Sequence, residues 1–239
     1  MSDGVFVTGT DTGVGKTLFA CALVHALRAR GLRVAPMKPV AAGAVLHEGA
    51  WTNEDTLALA QAAGPGAPPS GAITPVLLRE AMAPHIAAAR EGRAIALAPL
   101  VEAHRRLAAQ SDFTVVEGVG GFLVPLGPQV DGRDLARALG LPVVLVVGLR
   151  LGCLNHALLT AECVERAGLR LAGWVANAID PAMEAADGNV AALVERLRAP
   201  LIGRLPFSPD APAPDFAARL DVSGLLRGKR GQIPFPPQS

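Results

Sequence analysis

Residues 4–17 read GVFVTGTDTGVGKT. A short apolar run, GVFVT at 4–8, passes through closely spaced glycines into Gly15-Lys16-Thr17. From Thr17 to Arg30 the pattern is helical, with Leu18, Cys21, Ala22 and Leu27 among the inward residues and Gly31 as the stop. A strand that runs through a glycine turn directly into a helix is the start of an α/β chain. A Gly-rich turn alone accounts for the glycines. It does not account for Gly-Lys-Thr at the helix start, which points to a phosphate-binding loop.

The same alternation continues downstream. Strands are expected at 33–38, 113–118, 142–148, 170–177 and 200–206, and helices at 53–64, 84–92, 99–110, 132–140, 153–168 and 187–198. Residues 39–52 and 119–128 read as loops. The strands lack period-2 polarity, so both faces of the sheet are covered. This predicts an α/β fold, a mostly parallel sheet with helices on both faces, of the P-loop nucleotide-hydrolase type. Pro36 has no N–H to give a ladder and predicts an edge strand or a bulge. Residues 1–225 are expected to form a single domain, and the aperiodic 226–239 a loosely held tail.

Composition narrows the class. The 239 residues carry 22 Lys and Arg against 21 Asp and Glu, a formal charge of +1, so neither a nucleic-acid surface nor an acidic arm is expected. The most apolar stretch, 139–149, is too short to span a bilayer and contains Pro142. No signal peptide is visible at the start. Cys21, Cys153 and Cys163 have no metal-ligand spacing and suit a reducing compartment; a cytoplasmic protein is expected. Only Lys16, Lys38 and Lys229 are lysines; Arg holds the other basic positions. Two of the three lie near the phosphate loop, where a compact point charge and a planar fork are not interchangeable.

In parallel α/β folds ligands bind at the carboxyl ends of the strands. Gly13 and Gly15 can take positive φ and turn backbone N–H groups towards a phosphate. Val14 and Leu18 flank that curve, Lys16 would reach the β- and γ-phosphates, and Thr17 Oγ1 would ligate Mg²⁺. Glu117 ends the FTVV run and is a second metal candidate; Asp55, beside a capping Asn53, is a third, and Asp11 an alternative acid within the loop. The EGVGG stretch, with Gly118, Val119 and Gly120, brings backbone close to something.

VTGTDTGVGKT (7–17), KPVAAG (38–43), NED (53–55), PHIAA (84–88), VEGVGG (116–121), VVGLRLGCLNH (146–156), LAGWVAN (171–177) and IGRLP (202–206) follow one another as in a known family. The chain resembles dethiobiotin synthetase over most of its length. The usual phosphate loop has four residues between its first Gly and Gly-Lys; this one has five, and the resemblance includes the extra residue.

That resemblance implies a ligase of biotin biosynthesis. Its substrates are 7,8-diaminopelargonic acid, CO₂ and ATP with Mg²⁺, and its products dethiobiotin, ADP and phosphate. It implies Lys38 and Lys16 as catalytic groups, Thr12 and Ala42 at the substrate, and Asn177 and Ala178 at the adenine with Pro206, Phe207 and Ser208 beside it. It implies a homodimer in which Gly152, Cys153, Leu154 and Asn155 of the other subunit hold the substrate carboxylate. The chain departs from the family's frequent residues at Ala42 and Ala83, often Ser, and at Ala178, an Asp in some relatives. The rival expectation is a partitioning-type ATPase switch. Those carry a signature Lys before the paired glycines, where this chain has Asp11.

Overall fold

The computed structural model describes residues 3–208 and 210–226. The expected tail at 226–239 therefore lies outside the described residues except for Leu226. Six parallel strands form the central sheet: β1 (Asp3–Gly9), β2 (Val34–Met37), β3 (Phe113–Gly121), β4 (Val143–Leu149), β5 (Leu171–Ala178) and β6 (Leu201–Leu205). Their order is β6-β5-β4-β1-β3-β2. All six were anticipated, and β2 is an edge strand. Pro36 sits opposite Val115 of β3, on a strand with one ladder to supply, so its missing donor costs little.

Side chains of β1 point alternately to two cores. Val5 and Val7 pack against α1 (Lys16–Arg28) and α2 (Glu54–Ala63), whose Phe19, Leu23, Leu27 and Leu59 are fully buried. Phe6 packs on the other face, with Leu100 of α3 (Leu97–Ala109) and Leu135 of α4 (Gly132–Leu139). Further along that face, Leu145, Val147 and Trp174 lie under α5 (Cys153–Arg166) and α6 (Ala186–Arg196). Burial on both faces explains why the strands read as unbroken apolar runs.

Two regions read as loop carry structure. Val40–Ala42 pairs in parallel with Val76–Leu78, and Val45–His47 pairs antiparallel with Ala50–Thr52. The hairpin turns at Glu48 (φ 49°) and Gly49 (φ 80°). Two consecutive positive φ values are what a two-residue hairpin needs, but Glu-Gly is a weaker signal than Asn-Gly or Asp-Gly. β3 also runs past Glu117 to Gly121, because Gly9 pairs with Gly121 after a register shift following Val7. The expected loop at 119–128 is thus partly strand, and Pro125–Gly127 forms a small ladder with Val130–Asp131.

Candidate nucleotide site

The phosphate loop occupies the gap between the end of β1 and the start of α1. Gly13 (φ 73°) and Gly15 (φ 87°) are both left-handed, as their residue type allows. Gly15 has a second reason to lack a side chain: a Cβ there would sit 2.1 Å from Asn177 Nδ2. That amide donates to Val14 O at 2.8 Å and holds the loop from behind. Val14 is itself buried and anchors the loop in the core. Lys16 Nζ donates to Asp11 O at 2.8 Å, folding the loop over its own lysine. Burial, reinforced by the charge of Lys38, brings the Lys16 pKa down to about 8.

Asp55, Glu117, Thr17 and Lys38 converge beside this loop. Thr17 Oγ1 lies 2.8 Å from Asp55 Oδ1 and 2.9 Å from Glu117 Oε1. Lys38 Nζ lies 2.5 Å from Glu117 Oε1, 2.8 Å from Asp55 Oδ2 and 3.2 Å from Gly118 O. Asp55 is held in place by its neighbour: Asn53 caps α2 by accepting from Asp55 N at 3.0 Å. The Asn53 amide also donates to Gly43 O at 2.9 Å, tying α2 to the KPVAAG segment.

The electrostatics of this cluster are coupled. Burial disfavours the Lys38 ammonium, but the charges of Glu117 and Asp55 outweigh it and raise its pKa. Burial likewise raises Glu117, against the pull of Lys38. For Asp55 burial also acts upwards, yet Lys38 prevails and the pKa falls. The arrangement is an ammonium between two carboxylates. Glu117 is 1% exposed, and its second oxygen, Oε2, is buried without a partner. Among the described residues no group of three or more His, Cys, Asp and Glu could hold a metal. Two carboxylates and a hydroxyl instead suit an ion such as Mg²⁺, which takes few protein ligands and completes its shell with water and phosphate oxygens.

A cleft of about 750 Å³ opens over these groups. Its lining includes Thr12, Lys16 and Thr17, Lys38, Ala42 and Asp55, and Met82, Ala83 and Pro84. Val119 and Gly120 also line it, and a Cβ on Gly120 would lie 3.4 Å from Thr12 Oγ1.

Other anticipated site residues lie elsewhere. Gly152, Cys153, Leu154 and Asn155 do not line this cleft. Cys153 is buried, its Sγ 3.8 Å from Asn189 Oδ1 and directed inward, so only its backbone can serve a ligand. Gly152 and Asn155 are exposed, and neighbouring Leu151 is 96% exposed. This segment is linked to the phosphate loop by Arg150, whose Nη2 is 2.5 Å from Asp11 Oδ2. Asp11 thus accepts from Arg150 and from Thr12 N, whereas Asp55 and Glu117 both face Thr17 Oγ1. Leu18 and Ala178 are half-buried, Pro206 and Phe207 exposed, and Ser208 half-buried.

A profile of the AAA domain family AAA_26 matches residues 3–215. The chain belongs to that family. Solved structures agree on the fold. The MinC:MinD cell division protein complex of Aquifex aeolicus matches with a TM-score of 0.60 at 14% identity over 99% of each chain. The septum site-determining protein MinD of Pyrococcus horikoshii, complexed with Mg-ADP, gives 0.56 at 19% identity, over 96% of this chain and 97% of that one. A ParA family ATPase from Chlorobium tepidum gives 0.55 at 12% identity, covering 97% and 95%. This AAA_26 chain therefore has a P-loop ATPase fold with a mostly parallel sheet. Among its described residues, no helix is long and apolar enough to cross a membrane.

Proposed function

We propose that this chain is an ATP-dependent cyclo-ligase that carboxylates 7,8-diaminopelargonic acid and closes the ring to dethiobiotin. The observation that carries the reading is the lining of the cleft. Besides Lys16, Lys38 and the two carboxylates it takes in Ala42 and Met82–Pro84, which would receive a second reactant beside the phosphates. A hydrolytic switch needs only a water there. The ordered motif series of the sequence supports the same substrate.

Residue roles follow from placement. Lys16 and the N–H groups around Gly13 and Gly15 would hold the β- and γ-phosphates at the positive N-terminus of α1. Thr17, Asp55 and Glu117 would hold Mg²⁺, which, when bound, supplies charge neutralisation at the phosphates. Thr12, Ala42 and Ala83 face the space left for the diamine. One amine takes up CO₂ and loses a proton to become a carbamate. A carbamate oxygen attacks the γ-phosphorus and ADP leaves. The second amine then attacks the carbamoyl carbon, and phosphate departs with the ring closed. Carbamate and γ-phosphate are both anionic, so cationic Lys16 and Lys38 at their meeting point lower the cost of approach. The polar atoms left on Asn177 would meet the adenine edge. The carboxylate of the diamine would reach residues 152–155 of a second copy, in a homodimer.

A partitioning-type ATPase switch is the second reading, favoured by the MinD and ParA likenesses, which at 12–19% identity concern the fold. Against it stands Asp11, bound within its own chain to Arg150 at the signature-lysine position. ATP hydrolysis measured with and without diaminopelargonate and bicarbonate separates the two. The ligase turns over only with both present. Equal hydrolysis without the diamine selects the switch.

A further inference from the structure

Lys38 spends two of its donors on the metal candidates and the third on a backbone carbonyl. An ammonium has three N–H bonds. Here they face Glu117 Oε1 at 2.5 Å, Asp55 Oδ2 at 2.8 Å and Gly118 O at 3.2 Å. So arranged, Lys38 has no donor left for an anion in the cleft it lines. It also stands between the two carboxylates that, with the Thr17 hydroxyl, would ligate a divalent ion. One positive charge does not saturate that pair: Glu117 Oε2 stays buried without a partner.

We propose that Lys38 is an exchangeable counter-cation of the Asp55–Glu117 pair. The ammonium and a divalent ion compete for the same oxygens. Lys38 leaves the pair when the ion is ligated and only then turns its donors towards phosphate or carbamate. Loading the metal and freeing the lysine become one equilibrium. The lysine's stem is flexible enough for the exchange, and an ammonium, unlike a guanidinium, has no planar fork to keep it bidentate on the carboxylates. This rests on the metal assignment in the preceding subsection but not on the diamine as substrate.

The test uses nucleotide-free protein, so it is independent of the reaction assigned. Mn²⁺ is titrated by electron paramagnetic resonance into the wild type, Lys38→Met and Lys38→Arg, with folding checked by circular dichroism. Removing the competitor should make Lys38→Met bind Mn²⁺ on the order of ten-fold tighter than wild type. Lys38→Arg, which retains a cation, should bind no tighter than wild type. Equal or weaker binding by Lys38→Met, or no binding by either, overturns the proposal. A second measurement needs no variant. Lysine labelled with ¹³C at the ε-carbon gives three signals at most, since Lys16, Lys38 and Lys229 are the only lysines. Saturating Mg²⁺ should shift the Lys38 signal. An unmoved Lys38 signal also overturns the proposal.

Discussion

Gly15→Ala should damage this protein twice, through backbone strain and through a collision. At φ 87° an Ala pays the left-handed penalty, about 1–2 kcal/mol. Its Cβ would lie 2.1 Å from Asn177 Nδ2, so the amide must move and release Val14 O. That hydrogen bond contributes a net ~1 kcal/mol. The sum is roughly 2–3 kcal/mol, and at ~2–4 °C per kcal/mol for a chain of this size the melting temperature should fall by about 4–12 °C. Nucleotide affinity should fall as well, because the loop loses its brace. Asn177→Ala removes the collision partner and the bond but leaves the loop glycine unstrained. The double variant should therefore cost less than the sum of the singles, by about 1 kcal/mol. Thermal melts and titration with a fluorescent ADP analogue on the four proteins read this directly. Additive losses, or a Gly15→Ala melt within 1 °C or so of wild type, would refute the reasoning.

Glu117→Gln and Asp55→Asn should each raise the Mg²⁺ concentration needed for half-maximal turnover, since each removes a carboxylate charge from a hard cation; magnesium titrations of activity check this, and an effect confined to an Asp11 variant would reassign the site. Lys38→Gln should lower kcat by ~10²-fold with little change in ATP affinity, as for other groups that stabilise charge developing in a transition state; steady-state kinetics with ATP and diamine decide it. Ala42→Ser should change KM for the diamine by no more than the ~1 kcal/mol of one hydrogen bond, with kcat similar; a kcat gain of several orders of magnitude would mean that this diamine is not the natural substrate. Burial lowers the pKa of His104, whose Nε2 lies 3.0 Å from Thr114 Oγ1. The unfolded chain then takes up the proton first, so stability is unaffected well above the ordinary imidazole value and falls as pH drops below it. Urea midpoints at pH 7.5 and 5.5 should differ less in His104→Gln than in wild type.

Much of this was legible in the sequence because it is local. The junction from β1 through the loop to the start of α1 is written in fourteen consecutive residues, and Gly13 and Gly15 owe their places to backbone conformations their own type permits. The six parallel strands were legible because burial on both faces leaves continuous apolar runs, and Pro36 marked the edge because a proline cannot serve two ladders. Tertiary structure decided what depends on distant pairs. Lys38 meets Glu117 across 79 positions, and Thr17 meets Glu117 across 100. The sequence placed all of them at strand or helix ends on one rim of the sheet. Only packing determines that the ammonium lies between the carboxylates. The same holds for Asn177, which supports the phosphate loop from 163 positions away, and for Arg150, which occupies Asp11. A one-dimensional pattern records which side chains a strand end carries. Which of them touch is set by the sheet order β5-β4-β1-β3-β2 and the shift between Val7 and Gly9, and those are properties of the folded chain.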